Sequence, residues 1–366
     1  MDIVVTCEMG LSNLEHHIGV LSRLPGVQSI VVVRSKPGPT LPGVTYRTVP
    51  SLLRSSPGLR TAYKAVLLSV VARRARPEFL YCIGLFPHSL LTFVASRVSG
   101  RPWGVLLRTG PYELYGPTIP NDVSLDRPPG WYGRALLWIL RQCDFVVAAN
   151  TATRAYMVAH GIPSDRVWIM PRPVPPRFRR MTLPKVYDLI AVDRLSPEKQ
   201  LDVLLQATRL VSQQLPGVRL AVVGEGPCRR ALENIVSELG LSRNVEFLGC
   251  QPRLEWFYNS ARVLVHTSAR EAGPLCFPEA MACGIPAVVS EVGVVPDLGR
   301  NGENCLVVHD SRDYKAFAAA ITRLLDDPKL YAHISIGALA TAQATSMESA
   351  TAEWEAIFKS LRRGQD

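Results

Sequence analysis

What this sequence lacks narrows its chemistry before any motif is considered. Its eight cysteines are scattered, with no C-x-x-C pair, which argues against zinc and leaves reduced, mostly buried thiols as the simplest account. No Asp-x-Asp occurs in the 366 residues, so the natural hard-oxygen pair for a divalent cation held against phosphates is missing. No uninterrupted apolar run approaches the roughly 18 residues that span a bilayer. The opening Asp2-Ile3-Val4-Val5-Thr6 reads as a strand, so no signal peptide is expected. A single glycine, Gly10, follows that strand instead of Gly-x-Gly-x-x-Gly, which disfavours a dinucleotide-dependent oxidoreductase. No basic stretch is interleaved with aromatics, so no nucleic-acid partner is expected.

What is present fits a globular chain of about two domains, with 47% apolar and 20% charged residues. The charge is uneven. Residues 1–180 hold 22 Lys/Arg against 9 Asp/Glu, a balance of +13, whereas the remainder stands at −3. A basic half and a slightly acidic half suggest domains with different partners. The arginines at 54, 60, 73, 74 and 76, with Lys64 and the apolar Ala65–Val71 between them, make a basic, partly amphipathic helix suited to an anionic membrane surface.

Short apolar runs alternate with helical patterns through both halves, which argues for parallel sheets covered by helices on both faces. In the first half the expected strands are Ile3–Thr6, Ile30–Val33, Phe79–Ile83, Gly104–Leu107, Phe145–Ala148 and Val167–Met170. In the second they are Tyr187–Val192, Arg219–Val223, Val245–Leu248, Val263–His266, Ala287–Ser290 and Cys305–Val308. A Pro- and Gly-rich stretch, Thr109–Gly130, has the length of a functional loop. Pro171, Pro173, Pro175, Pro176 and Pro184 mark an extended connection. The expected division is 1–180, 181–345, and a last helix within 346–366. That helix carries Trp354, Ile357, Phe358 and Leu361 on one face. His16 and His17 read as helix-surface residues.

The most informative stretch runs from His266 to Pro296, HTSAREAGPLCFPEAMACGIPAVVSEVGVVP, with seven residues between Glu271 and Glu279. Pro278 suits the first turn of a helix, and Gly284 and Pro286 stop that helix early. Glu271 is therefore expected on a loop after a strand, and Glu279 at the start of the next helix. A helix start offers N–H groups and partial positive charge to a phosphate. Two carboxylates beside it accept hydrogen bonds from hydroxyls such as a sugar presents. An ordinary loop carboxylate and a helix-terminal charge would give the same pair; the flanking HTSARE and PEAMACGIPAVVS make the pattern specific.

This stretch resembles the donor-site signature of the retaining family 4 glycosyltransferases, the glycosyl transferases group 1, which have the GT-B architecture. The resemblance implies that Glu271 holds hydroxyls of the transferred sugar and Glu279 the ribose of the nucleotide. Val192-Asp193-Arg194-Leu195-Ser196-Pro197-Glu198-Lys199 resembles the family's Gly-Arg-Leu…Lys segment, with Asp193 where glycine is usual. It implies that Arg194 and Lys199 grip the donor diphosphate, where fixed cations stabilise a leaving group. Val222–Pro227, with Gly224 and Glu225, and Phe247–Cys250 are similar to the loops beside the nucleotide and base. Gly273 stands where an aromatic is frequent and Pro274 removes an N–H, leaving those of Gly273 and Leu275 for phosphates. In the first half the resemblance gives His88 a place facing the sugar, a structural histidine being the alternative. Gly10 and Arg108 are candidates for acceptor or phosphate contacts. The family's Gly-Val-Asp tripeptide is replaced by Arg172-Pro173-Val174.

The expected fold is therefore α/β, two Rossmann-like domains facing across a cleft with the last helix returning to the first. The expected function is retaining transfer of a sugar from a nucleotide-diphosphate-sugar to a glycan or lipid-linked acceptor, in envelope or exopolysaccharide synthesis. Neither cofactor nor metal is expected, and the location is cytoplasmic, peripheral at the inner face of the membrane. The rivals are a nucleotide-sugar epimerase or phosphorylase of the same architecture and a silent nucleotide-sugar-binding subunit.

Overall fold

The computed structural model describes residues 1–116, 125, 127–170 and 172–363. The rest of the Thr109–Gly130 stretch, and Pro171 in the connection, lie outside the described residues. The chain forms two compact units, Met1–Pro173 with Met347–Asp366, and Val174–Ser346. The division falls earlier than the expected 180/181 because Val174 and Phe178 pack into the core of the second unit.

The first unit runs β1 (Asp2–Cys7), α1 (Leu11–Leu21), β2 (Ser29–Arg34), β3 (Val44–Thr48), α2 (Pro57–Ala75), β4 (Phe79–Ile83), α3 (His88–Ser99), β5 (Trp103–Leu106), α4 (Trp131–Leu140), β6 (Phe145–Ala148), α5 (Thr151–Ala159) and β7 (Val167–Ile169). Its seven strands form one parallel sheet of order β3-β2-β1-β4-β5-β6-β7. Because helices cover both faces, the inner strands are apolar along their whole length, not alternately. Val4, Leu80, Cys82, Val105 and Val146 face α2 to α5. Ile3, Val5, Tyr81, Phe145 and Val147 face α1 and the last helix. The strand β3 was not anticipated. Its Val-Thr-Tyr-Arg-Thr alternates half-buried and exposed positions, as an edge strand does.

The second unit runs β8 (Tyr187–Val192), α6 (Leu201–Gln214), β9 (Leu220–Val223), α7 (Arg229–Glu238), β10 (Val245–Gly249), α8 (Leu254–Ser260), β11 (Ala261–His266), α9 (Cys276–Ala282), β12 (Ala287–Ser290), α10 (Val295–Leu298), β13 (Leu306–Val308), α11 (Tyr314–Asp326) and α12 (Pro328–Ala342). Its six strands form a parallel sheet of order β10-β9-β8-β11-β12-β13. The two Rossmann-like sheets establish the α/β class. The helices α8, α10 and α12 escape the sequence pattern.

The chain ends in α13 (Met347–Arg363), packed on the first unit through Met347, Trp354, Ile357 and Phe358. Trp354 sets its ring edge-on to Tyr81 at 5.0 Å and to Phe145 at 6.1 Å. Two expectations need correcting in this unit. His16 and His17 are buried rather than on the helix surface; His16 Nδ1 lies 2.8 Å from the carbonyl of Pro173. Lys64 is not a surface cation, because it turns inward at 2% exposure and donates to Glu8 Oε1 at 3.1 Å. No helix among the described residues is long and apolar enough to cross a membrane.

Trp354→Ala removes a fully buried ring from between α13 and the sheet. Urea titration of the variant should show a loss of about 3–5 kcal/mol; a loss under about 1 kcal/mol would mean that α13 contributes little to this core.

Candidate active site

In the second sheet the chain leaves β8 toward β9 on one side and reaches β11 on the other. The loops after β8 and β11 therefore part at the carboxyl ends of adjacent strands, the place where α/β sheets open a crevice. Buried hydroxyls stitch the two loops together. Thr267 Oγ1 donates to the carbonyls of Lys199 and Gln200, both at 3.0 Å, and Ser268 Oγ donates to Glu198 at 3.0 Å. The Ala269 amide adds a bond to the Glu198 carbonyl at 2.8 Å. Gln200 is held at φ +47, a conformation a non-glycine residue keeps only when its surroundings impose it.

Lys199 is thereby brought against two carboxylates. Its Nζ donates to Asp193 Oδ1 at 2.6 Å and to Glu271 Oε1. Burial pushes the Lys199 ammonium down, but the Asp193 and Glu271 charges outweigh it and raise its pKa. Burial likewise pushes the Glu271 carboxyl up, and the facing His266 and Lys199 reverse this, holding it at about 2. Both partners are thus charged at neutral pH. His266 is fully buried, with Nε2 3.8 Å from both Asp193 Oδ2 and Glu271 Oε1, beyond hydrogen-bond reach. Sequence reasoning passed over this histidine, whose one signal is its place at the end of β11. Asp193, His266 and Cys276 each offer a ligand atom within 4.8 Å of the others, but the Lys199 ammonium already stands at the Asp193 carboxylate. Arg194, next along the loop, is exposed and its guanidinium bonds to nothing among the described residues.

The loop after β9 completes this edge. Gly224 has φ +136, and a Cβ there would stand 1.9 Å from the Asp193 carbonyl; one on Gly226 would stand 2.3 Å from that of Leu195. These glycines let backbone pack on backbone, which is why the Gly-x-Gly is needed. The Gly224 amide also bonds to the Gly249 carbonyl at 2.8 Å, so Gly224, Glu225 and the exposed Cys250 share one edge. Glu225 pairs with Arg229. On the other side Gly273 and Pro274 are buried and Leu275 half-buried as the loop enters α9. Gly293, also missed, has φ +63 and backs directly onto Glu271 and Ala272.

Glu279 sits in the first turn of α9 as expected, yet it is only 3% exposed. Burial pushes its carboxyl up to about 8, although Tyr258 donates to Oε2 at 2.8 Å. At neutral pH it is mostly a protonated acid.

In the first unit the expected residues gather at the carboxyl ends of β1, β4 and β5, where that sheet has its own switch point. His88 opens α3, buried, with Nδ1 3.4 Å from Thr6 Oγ1. Burial, aided by Lys64, pulls its pKa to about 3, so the ring is neutral. Arg108 is exposed and donates to the Glu8 carbonyl at 3.3 Å. Gly10 precedes α1 with ordinary φ and empty space around it, so nothing local demands a glycine. Sequence reasoning missed the centre of this edge. Glu8 accepts from Lys64 and from the Ser35 amide at 2.7 Å, beside a buried Arg34 whose Nε and Nη1 find no partner among the described residues.

With this geometry in hand, comparison with known proteins is decisive for the second unit. Residues 178–339 match the family model described as glycosyl transferases group 1. The matched residues make up most of the second unit. The chain is 30% identical over 253 residues, 68% of its length, to an exopolysaccharide phosphotransferase of Streptomyces coelicolor, and spans 27% of that protein. It is 36% identical over 197 residues to a D-inositol 3-phosphate glycosyltransferase of Thermomonospora curvata, 50% of this chain and 43% of that one. The chain thus spans less than half of either relative. Over 98% of its length it superposes on the whole of Anabaena Alr3699/HepE, solved in complex with UDP and glucose, at TM-score 0.80 and 19% identity. Sucrose-phosphate synthase from Thermosynechococcus elongatus matches over 100% of both chains at TM-score 0.76 and 18% identity. At these identities the likeness speaks to fold.

The Glu279 environment predicts a pH dependence. Its folded pKa of about 8 lies above the ordinary 4.5, so the folded state keeps a proton that the unfolded state loses. The stability this gives is complete below the ordinary value and is lost as pH rises through the folded one. Glu279→Gln lacks that loss. Denaturant titrations should show the variant gaining on the parent from pH 5 to pH 8, by on the order of a few kcal/mol. A difference that stays constant from pH 5 to 9 would contradict the buried, protonated carboxyl.

Proposed function

We propose that the chain is a retaining glycosyltransferase, moving a sugar from a nucleoside-diphosphate sugar to a hydroxyl of a cell-envelope or exopolysaccharide glycan. One observation carries the reading: Lys199 held between Asp193 and Glu271 at the switch point of the second sheet, with the unpaired Arg194 guanidinium next to it. Breaking the bond between the sugar's anomeric carbon and the diphosphate leaves negative charge on the leaving oxygens. Lys199, held in place in advance, and the exposed Arg194 beside it are the cations to receive it. Glu271, ionised and facing the same space, accepts hydrogen bonds from the sugar's hydroxyls and orients the anomeric carbon. The acceptor oxygen bonds to the anomeric carbon on the face the diphosphate leaves, its proton passing to the departing phosphate oxygen, which keeps the configuration. Glu279 serves the ribose, and the loops of Gly224–Glu225, Cys250 and Gly273–Leu275 line the nucleotide. His88 is assigned to the transferred sugar, and Arg108 and Gly10 to acceptor or phosphate contacts.

Charge compensation by the chain's own cations is the reason to propose transfer without a metal, since Lys199 stands at the carboxylate a metal would use. The donor reading is supported by the neighbour solved with UDP and with UDP-glucose. The envelope setting is supported by relatives named for exopolysaccharide, inositol phosphate and lipopolysaccharide core. We place the acceptor, glycan or lipid-linked, at the cytoplasmic face of the membrane.

The test is a thermal-shift screen against UDP-, GDP- and ADP-sugars, since ligands of the native state raise its stability, followed by transfer assays. Glu271→Ala should abolish transfer while nucleoside diphosphate still binds; Glu279→Ala should weaken the nucleotide; activity should survive EDTA. Product formed without any added acceptor, or a strict need for Mg²⁺ or Mn²⁺, would overturn the reading.

A further inference from the structure

We propose that the outer face of α2, α3 and α4 in the first unit docks on an anionic bilayer surface. A helix covering a sheet in water turns polar residues outward and apolar ones inward. These three bury apolar residues against the sheet, but leave large apolar residues on their outer faces as well. The helix α3 buries His88, Ser89 and Thr92 along with Leu91 and Ala95, and exposes Leu90, Val94 and Val98, one above another at four-residue spacing. Ser89 Oγ even lacks a hydrogen-bond partner among the described residues. The helix α2 buries Lys64 in line with Leu68 and Ala72, while Leu59, Val66 and Val70 face outward, Val66 being 64% exposed. On α4, Trp131 and Trp138 stand 77% and 55% exposed.

The three outward stripes lie on one side of the molecule's first unit. Leu68, Leu91 and Leu136 belong to the same core layer, over one face of the sheet. Phe93 of α3 touches Trp138 of α4 at 5.8 Å, ring centre to ring centre, and Phe86 touches Tyr132 at 5.9 Å. Among the described residues, ten of the thirteen exposed large apolar side chains fall between Leu52 and Trp138. A contiguous apolar face on this scale marks an interaction surface.

Charge decides what the surface fits. Helices α2, α3 and α4 contain no Asp or Glu, and Arg73, Arg74, Arg97 and Arg134 are exposed around the apolar stripes. A second copy laid on this face would bring arginines against arginines. Anionic headgroups answer both halves of the pattern: acyl chains take the Leu and Val stripes, tryptophans sit at the headgroup level, and the phosphates pair with the arginines. The placement also suits the chemistry. Each of these helices begins beyond the carboxyl end of a strand, so Leu52, Phe86 and Trp131 lie at the sheet edge that holds Glu8, His88 and Arg108. Docking stands on the surface alone; that it presents a lipid-linked acceptor rests on the glycosyltransferase reading.

The experiment is co-sedimentation of the full chain with vesicles of phosphatidylcholine alone or mixed with phosphatidylglycerol, at about 0.05 M and about 0.5 M salt, where screening differs strongly. Binding should appear with the anionic vesicles at low salt and weaken at high salt. Val66→Ser with Val70→Ser, and separately Arg73→Glu with Arg74→Glu, should each lower it by at least about tenfold. All four positions are solvent-exposed or nearly so, and the nucleotide-induced thermal shift of both variants should match the parent, which shows them folded. Protein left in the supernatant with anionic vesicles at low salt overturns the proposal. So does equal binding to neutral vesicles, or a vesicle-free dimer that Val66→Ser with Val70→Ser converts to monomer. Vesicle binding without any nucleotide shift leaves docking standing and removes the transferase reading; the converse result removes docking alone.

Discussion

The Lys199 ammonium, held between the carboxylates of Asp193 and Glu271, is the interaction on which the second unit's chemistry depends. Two carboxylates at the end of a buried sheet repel each other and lose solvation; the cation between them offsets that cost and holds the Glu271 carboxyl below its ordinary range. Removing one partner of such a buried group is costly because the others are left uncompensated. The backbone around it is built to that end. Gly224 and Gly226 let the next loop lie on the main chain of Asp193 and Leu195, Thr267 and Ser268 tie down the loop carrying Lys199, and Gly293 backs Glu271.

Much of this was legible in the sequence, for a physical reason. Parallel strands buried on both faces are short apolar runs, so β1, β4, β6, β8 and β12 stand out without any periodicity. The loops at the switch point bring charge and glycine directly after apolar strand ends such as residues 189–192 and 263–265, so Arg194, Lys199, Gly224 and Glu271 were visible as candidates. What was not legible depends on tertiary packing. Glu279 was placed on the right turn of the right helix, but α9 is buried almost throughout, and no local signal shows that a carboxyl there would be protonated. Lys64 meets Glu8 across 56 positions, so it read as one more surface cation. His16 and His17 misled for the same reason. Edge strand β3 and helix α12 lack the apolar run or the clear stripe that makes an element readable.

The first unit follows a different logic at its surface. A positive balance over residues 1–180 is visible in composition, but which residues carry it outward is not. Lys64 leaves the surface and Leu90, Val94 and Val98 join it, so the basic half turns out to be an apolar face edged by arginines. The second unit shows no comparable grouping: its exposed large apolar residues are Val186, Trp256 and Ile336, far apart in the chain. Each half thus has its own distinctive feature, a cation held between carboxylates in one and an apolar outer face edged by arginines in the other.

The central claim is that the crevice beside Lys199 receives the diphosphate of a nucleotide donor. A crystal structure of the chain grown with a nucleoside diphosphate tests it most directly. The account predicts phosphate oxygens within hydrogen-bond distance, about 2.7–3.2 Å, of Lys199 Nζ or the Arg194 guanidinium, with Glu271 beside the position the sugar would take. A diphosphate bound elsewhere, with Lys199 still closed on Asp193 and Glu271, would contradict it.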